Sequence, residues 1–193
     1  MSKILVSACL GGYNCNYKGE SNFQEDIYTL IKSGNCILVC PEALGGMTTP
    51  RNPSECISDE KVINNLGEDN TSFYFKGAAE TLRIAELYNC KVAILKEKSP
   101  SCGTKRYDGT FSKRLIDKNG ITAKLLADND IRVISSDDHE SIEKLINQIK
   151  NRNFKWYEPR FLDKIETRFL YVKIKLWRQN KYISRKKKWK CNK

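Results

Sequence analysis

Short apolar runs, separated by segments with helical spacing, give the chain its pattern. The runs are nearly continuous in apolar residues, which is typical of parallel strands covered on both faces. They lie at residues 3–8, 36–40, 91–95 and 131–134. The segments with helical spacing lie at residues 21–33, 71–88, 121–129 and 136–149. Because strands alternate with helices, we expect an α/β fold with an open, Rossmann-like parallel sheet of about four strands and flanking helices.

Local sequence adds three more detailed predictions. Ser21 followed by Gln24 resembles a capping box at the start of the first helix, and Ser136 is the expected cap of the last one. The predicted inner side of the second helix consists of Phe75, Ala78, Ala79, Leu82, Ala85 and Leu87. The stretches 45–66 and 96–117 show no sustained period, so we expect long loops there, which in compact domains are usually functional or disordered.

Charge divides the chain into two parts. Of the 34 Lys and Arg residues, 15 lie in residues 151–193 beside 3 acids, which leaves 19 basic and 20 acidic residues before them. We therefore expect one domain at 1–150 and a basic C-terminal extension at 151–193. Its basic run 185–190 and its tryptophans would suit nucleic-acid phosphates and bases, or an anionic membrane surface, but charge blocks of this kind are often simply solvated.

Eight cysteines and a single histidine restrict the possible chemistry. The N-terminus lacks the features of a signal peptide, and no run approaches the roughly 20 apolar residues of a membrane span. We therefore expect a cytoplasmic protein without a membrane span, in which clustered cysteines indicate metal binding or catalysis more often than disulfides. With His139 alone, zinc sites built on several histidines are disfavoured, whereas all-cysteine ligation stays open.

Three cysteines follow the ends of predicted strands. Cys9 follows the first, Cys40 ends the second, and Cys102 lies in the loop after the third. Ligands of open parallel sheets bind outside the carboxyl ends of the strands, and thiolates dispersed over three loops suit an iron–sulfur cluster. Cys15, six residues after Cys9, is either a fourth ligand or a nearby thiol. The expected small apolar core residues are Cys36, Cys56 and Cys90.

Two polar residues lie beside these cysteines. Glu42 is two residues from Cys40, where a proton donor or acceptor would be useful, although most acids are simply solvated. Ser101 is adjacent to Cys102 and is either a turn residue or part of the same site.

Several ordered motifs carry a resemblance to a known family. They are Ser7-Ala8-Cys9-Leu10, Cys40-Pro41-Glu42 with Gly45-Gly46, Thr49-Pro50-Arg51-Asn52-Pro53, Ser99-Pro100-Ser101-Cys102-Gly103 and Tyr107-Asp108-Gly109-Thr110-Phe111. Over residues 2–135 the chain resembles the DUF523 family, which includes the 2-thiouracil desulfidases.

The resemblance implies a 4Fe-4S cluster held by only Cys9, Cys40 and Cys102, with one iron open to the sulfur of the substrate. It also implies acid/base work for Glu42 and a substrate or water contact for Ser101. The expected activity is non-redox removal of sulfur from a thiolated nucleobase such as 2-thiouracil, or from a similar small thioamide. The alternative is a nucleic-acid-binding protein with a structural iron–sulfur or zinc site.

Overall fold

The structure, a computed structural model, describes residues 3–151. The strands are β1 (Ile4–Ser7), β2 (Cys36–Val39), β3 (Ser54–Cys56), β4 (Val62–Asn64), β5 (Val92–Leu95), β6 (Arg106–Tyr107), β7 (Leu115–Ile116) and β8 (Arg132–Ser135). The α-helices are α1 (Glu25–Lys32), α2 (Pro41–Leu44), α3 (Thr71–Leu87), α4 (Ile121–Asp128) and α5 (His139–Lys150). A short 3₁₀ helix, Ala8–Gly11, follows β1 directly.

The central sheet has four parallel strands in the order β2-β1-β5-β8. The predicted α/β class and parallel sheet are therefore confirmed. Val6 of β1 lies between Leu38 of β2 and Ile94 of β5. The chain fills first one side of β1 and then the other, so the strand order reverses between β1 and β5, where sheets of this kind bind ligands.

Both faces of the sheet are covered, which explains the nearly continuous apolar runs. One face, which includes Val6, packs against the apolar side chains of α1 and α5. The other face, which includes Leu5, packs against α3 and α4. Neighbouring residues of a strand point to opposite faces, so both Leu5 and Val6 are fully buried.

Two predicted loops contain short antiparallel ribbons. In the stretch 45–66, β3 pairs with β4, and in the stretch 96–117, β6 pairs with β7. These strands have only two or three residues each, which is too short for a hydrophobic period to be detectable. The prediction of loops throughout both stretches was therefore wrong at these positions.

The predicted helix caps were also wrong. α1 begins after Gln24, which has extended backbone and makes no side-chain cap bond. The cap of α5 is Asp138, whose carboxylate accepts a hydrogen bond from the Ser141 N–H. Ser136 instead accepts a hydrogen bond from the Glu97 N–H, so its hydroxyl joins two loops rather than starting a helix.

The inner face of α3 differs from the prediction. Phe75 and Leu87 are exposed, whereas the buried residues are Tyr74, Gly77, Ala78, Thr81 and Ala85. The reason is the close approach of α2 to α3, where a Cβ atom on Gly77 would overlap the carbonyl oxygen of Pro41. The position that faces α2 must therefore be a glycine, which a pattern of apolar spacing does not indicate.

The predicted extension begins at Asn151, the last described residue, so the division at 150 and a role in binding nucleic acid or an anionic surface stay predictions. Among the described residues, no helix is both long and apolar enough to cross a bilayer. The cytoplasmic location stays a prediction.

Candidate active site

A cavity of about 490 Å³ opens at the carboxyl ends of the sheet strands. Cys9, Cys40 and Cys102 all line it, as do Cys15 and Glu42. Cys9 comes from the turn after β1, Cys40 from the junction of β2 and α2, and Cys102 from the loop after β5. Parallel neighbours end at the same edge of the sheet, which brings residues far apart in sequence into one cavity.

The four thiols differ in acidity because Cys15 lies beside two of the others. A hydrogen bond with Cys15 lowers the pKa of Cys40 to about 6, although burial opposes this change. A hydrogen bond with Cys15 also lowers the pKa of Cys9, while the pKa of Cys15 itself is raised. Burial raises the pKa of Cys102. The Cys40 thiol also lies 3.6 Å from the Cys15 carbonyl oxygen, to which it donates. The lowered pKa values favour the thiolate, the metal-binding form of cysteine, at Cys9 and Cys40.

The Cys40 loop is fixed by an ion pair. The Arg51 Nε donates to the Glu42 Oε2 at 2.6 Å, and their side chains are 6% and 13% exposed. The same guanidinium donates to the Thr48 carbonyl, the Thr49 hydroxyl and the Cys15 carbonyl. Arg51 therefore ties the Cys15 loop to Glu42. The sequence analysis gave Arg51 no role, because an arginine between two prolines resembles an ordinary turn residue.

The Cys102 loop is fixed by a different carboxylate. Glu97 is 5% exposed and accepts five hydrogen bonds. The donors are the N–H groups of Lys98, Thr104 and Lys105 and the hydroxyl groups of Thr104 and Ser135. They hold the pKa of Glu97 below its usual value, although burial alone would raise it. Sequence reasoning missed this residue, whose partner Ser135 is 38 positions away.

Within that loop, Ser99 rather than Ser101 faces the cavity. The Ser99 Oγ accepts from the N–H groups of Ser101 and Cys102, both at 3.1 Å. Ser101 is fully buried and is not among the residues that line the cavity. Its hydroxyl lies 2.8 Å from that of Thr122 at the start of α4. The predicted substrate contact of Ser101 therefore stays a prediction.

Comparison with known proteins gives the family. A family model described as 2-thiouracil desulfurase matches residues 4–138. The chain belongs to this family. The uncharacterized protein YbbK of Bacillus subtilis (strain 168) is 43% identical over 149 residues, which cover 72% of this chain and 99% of YbbK. A solved structure of a 4Fe-4S-dependent thiouracil desulfidase, TudS (DUF523Vcz), matches with 34% identity and a TM-score of 0.71, over 77% of this chain and 99% of that one.

Within residues 3–151, the cysteines outside the cavity of this desulfurase-family protein are packing residues, as predicted. Cys56 and Cys90 are buried in separate parts of the core, and Cys36 packs against the face that includes Val6. His139 is exposed and lies 3.0 Å from Asp26.

Within residues 3–151, no group of three or more His, Cys, Asp or Glu side chains is arranged to hold a single metal ion. An iron–sulfur cluster is a larger object than one ion, and the donor set at the cavity fits it, since cysteine is its usual ligand.

The walls and rim of the cavity carry aromatic and cationic side chains that the sequence analysis did not assign. These are Tyr17, Tyr74, Tyr107, Phe111, Lys96, Lys98 and Lys113. Tyr107 and Phe111 belong to one of the motifs quoted above, but the motif gave them no role at a site, because these side chains reach the cavity from four different parts of the chain. The apolar and aromatic surface beside a few polar groups is typical of a small-molecule site.

Proposed function

We propose that this protein removes sulfur from a thiolated nucleobase such as 2-thiouracil, or from a similar small thioamide. The observation that carries the proposal is the meeting of Cys9, Cys40 and Cys102 in one cavity with Glu42 beside them. Membership of the 2-thiouracil desulfurase family and the likeness to TudS support the same reaction and a 4Fe-4S cofactor.

In this proposal Cys9, Cys40 and Cys102 hold the cluster. A cluster with only three cysteine ligands would supply a Lewis acid for soft sulfur, because one of its irons would have no cysteine ligand. Cys15 is assigned as a hydrogen-bond donor to Cys9 and Cys40, which is supported by the opposite directions of their pKa shifts. The competing assignment makes Cys15 a fourth ligand.

Glu42 carries the proton in the proposed reaction. Its carboxylate lines the cavity and is oriented by Arg51, so it can exchange a proton with a ring nitrogen next to the C–S bond. A water molecule adds its oxygen to the carbon, the C–S bond breaks, and sulfide leaves with the protons of the water. The sum is thiouracil plus water giving uracil plus hydrogen sulfide, with no electrons gained or lost.

Ser101 is proposed as a contact to the substrate or to the attacking water. In this role its hydroxyl breaks its hydrogen bond with Thr122 and forms one with the substrate or the water in the cavity. The support for this assignment is the neighbouring Cys102, whose loop Ser101 shares.

Anaerobic purification, followed by iron and acid-labile sulfide analysis and a sulfide-release assay with 2-thiouracil, tests the proposal. We expect bound iron with acid-labile sulfide, and release of sulfide from the substrate. Zinc without acid-labile sulfide would contradict the proposal, as would a loaded cluster that turns over no thioamide. Either result would favour the nucleic-acid-binding alternative, in which the metal site is structural.

A further inference from the structure

The loop that joins β6 to β7 has strained backbone where it borders the cavity. Phe111 and Lys113 both line the cavity, and both have a positive φ, 56° and 63°. Residues other than glycine rarely adopt this conformation, and bulky ones least of all. Such strain persists only where the surrounding structure imposes it, and it concentrates at functional sites.

A buried carboxylate of β3, which also lines the cavity, contacts this strained segment. Glu55 is 8% exposed, and its Oε2 accepts a hydrogen bond from the Phe111 N–H at 2.9 Å. Gly109 packs so closely against the same strand that a Cβ atom there would overlap the carbonyl oxygen of Cys56. Two contacts from β3 thus hold the loop in place.

This arrangement holds an aromatic ring at the cavity. Phe111 is 36% exposed, so part of its surface stays open although its backbone is tied down. A phenylalanine offers no hydrogen bond or charge to a substrate, only an apolar, flat face. Stacking on a base is what such a face contributes in nucleobase-binding proteins, and it tolerates any heteroaromatic ring.

We propose that Phe111 is the stacking residue that selects flat heteroaromatic substrates at this site, and that Glu55 is the positioning residue that holds Phe111 in place. The inference rests on the proposed function and deepens it, because it restricts the substrate class to planar rings rather than thioamides in general. The β3–β4 ribbon would then supply Glu55, and the β6–β7 ribbon would supply Phe111.

Equilibrium dialysis of the cluster-loaded protein against labelled uracil, under anaerobic conditions, tests the role of Phe111 without requiring turnover. Phe111→Leu should raise the Kd by about ten-fold or more, since stacking contributes that much per base. Phe111→Tyr, which keeps the ring, should stay within about two-fold of wild type. The matched control is Phe75→Leu, an exposed phenylalanine of α3 outside the cavity lining, which should bind uracil as the wild-type protein does.

The role of Glu55 is tested by rescue and by a double variant. Glu55→Ala should weaken uracil binding, and Glu55→Gln, which keeps an acceptor oxygen for the Phe111 N–H, should restore most of it. The variant with both Glu55→Ala and Phe111→Leu should bind no worse than Phe111→Leu alone, because the two residues act as one unit. Additive losses would show that Glu55 acts on binding by another route and would overturn its assignment.

Failure of this inference is distinguishable from failure of the proposed function. Equal uracil binding by Phe111→Leu and wild type, or no measurable uracil binding by the wild-type protein, overturns the inference even if sulfide is released from 2-thiouracil. Conversely, Phe111-dependent uracil binding without sulfide release from any thioamide leaves the inference standing and removes the proposed reaction.

Discussion

The loops that carry Cys40 and Cys102 are each fixed by one carboxylate, but in contrasting ways. Glu97 accepts five hydrogen bonds, more than the roughly four lone-pair sites of a carboxylate, so its acceptor capacity is filled. Both residues line the cavity, but among the described residues Glu42 has a single side-chain donor, Arg51. A carboxylate whose acceptor capacity is filled can only hold structure, whereas one with a single partner can also exchange protons.

The largest expected effect is loss of the cluster, and it should be the same for the cysteines of both loops. Cys9→Ser, Cys40→Ser and Cys102→Ser should each lose the cluster completely, because a hydroxyl is a poor substitute for a thiolate ligand. Iron and acid-labile sulfide analysis measures the loss. Cys56→Ser is the matched control, a buried cysteine outside the cavity lining, and should keep the cluster.

Cys15 sharpens this prediction. If Cys15 is a hydrogen-bond donor, the variant Cys15→Ser should retain a cluster in a less stable form, because a serine hydroxyl can still donate to Cys9 and Cys40. Complete loss of iron from this variant, as in Cys40→Ser, would indicate four protein ligands. The open iron of the proposed mechanism would then be absent.

The next largest effect, a loss of turnover, is expected for Glu42 and not for Glu97. Glu42→Gln keeps the shape and reach of the side chain but removes its ability to transfer a proton, so turnover should fall by about 10²–10⁴-fold with iron content near wild type. If iron is lost in proportion to activity, Glu42 only supports the loop. Near-normal turnover with a full cluster would also remove its catalytic assignment.

Glu97→Gln should show the opposite behaviour, with lower stability but near-normal turnover per loaded cluster. The substitution places an NH₂ group among donors, and we expect it to cost about 2 kcal/mol at pH 7. Because the pKa of Glu97 is lowered on folding, its carboxylate contributes stability above its unfolded pKa and loses that contribution as pH falls through the folded value. Urea unfolding at pH 7 and at pH 4 should therefore show a smaller difference between wild type and variant at the lower pH.

A difference in stability that does not change with pH would contradict this account of Glu97. It would mean that the shape of the side chain, rather than the charge of its carboxylate, holds the Cys102 loop.

The smallest expected change in stability concerns Ser101. Ser101→Ala and Thr122→Val remove the same 2.8 Å hydrogen bond, so each should cost about 1 kcal/mol in thermal or urea unfolding. If Ser101 contacts substrate or water, only Ser101→Ala should lower turnover. Equal activity of the two variants would make Ser101 a purely structural residue of the Cys102 loop.

Much of the fold was predictable because the parallel sheet is buried on both faces. Strands such as β1 then show a nearly unbroken apolar run, and their ends indicate where Cys9 and Cys40 meet. Helix caps were not predictable in the same way. The sequence near Ser136 has several short polar residues that could cap α5; in the folded protein Ser136 binds the Glu97 N–H and Asp138 caps the helix.

The residues that hold the site together could not be derived from local sequence. Glu97 and Ser135 are 38 residues apart, and Glu55 and Phe111 are 56 apart. Such carboxylates resemble solvated surface residues until the strands bring their donors together. The direction in which the Ser101 side chain points could not be predicted either, because neighbouring residues of an irregular loop follow no period.

The most direct test of the central claim is the stoichiometry of a single reaction. Anaerobically purified, cluster-loaded protein is incubated with 2-thiouracil without any added reductant, and uracil and sulfide are both quantified. We predict equal amounts of the two products, formed by the wild-type protein and not by Cys40→Ser. A fully loaded cluster that forms neither product, or that forms them only when a reductant is supplied, would contradict it.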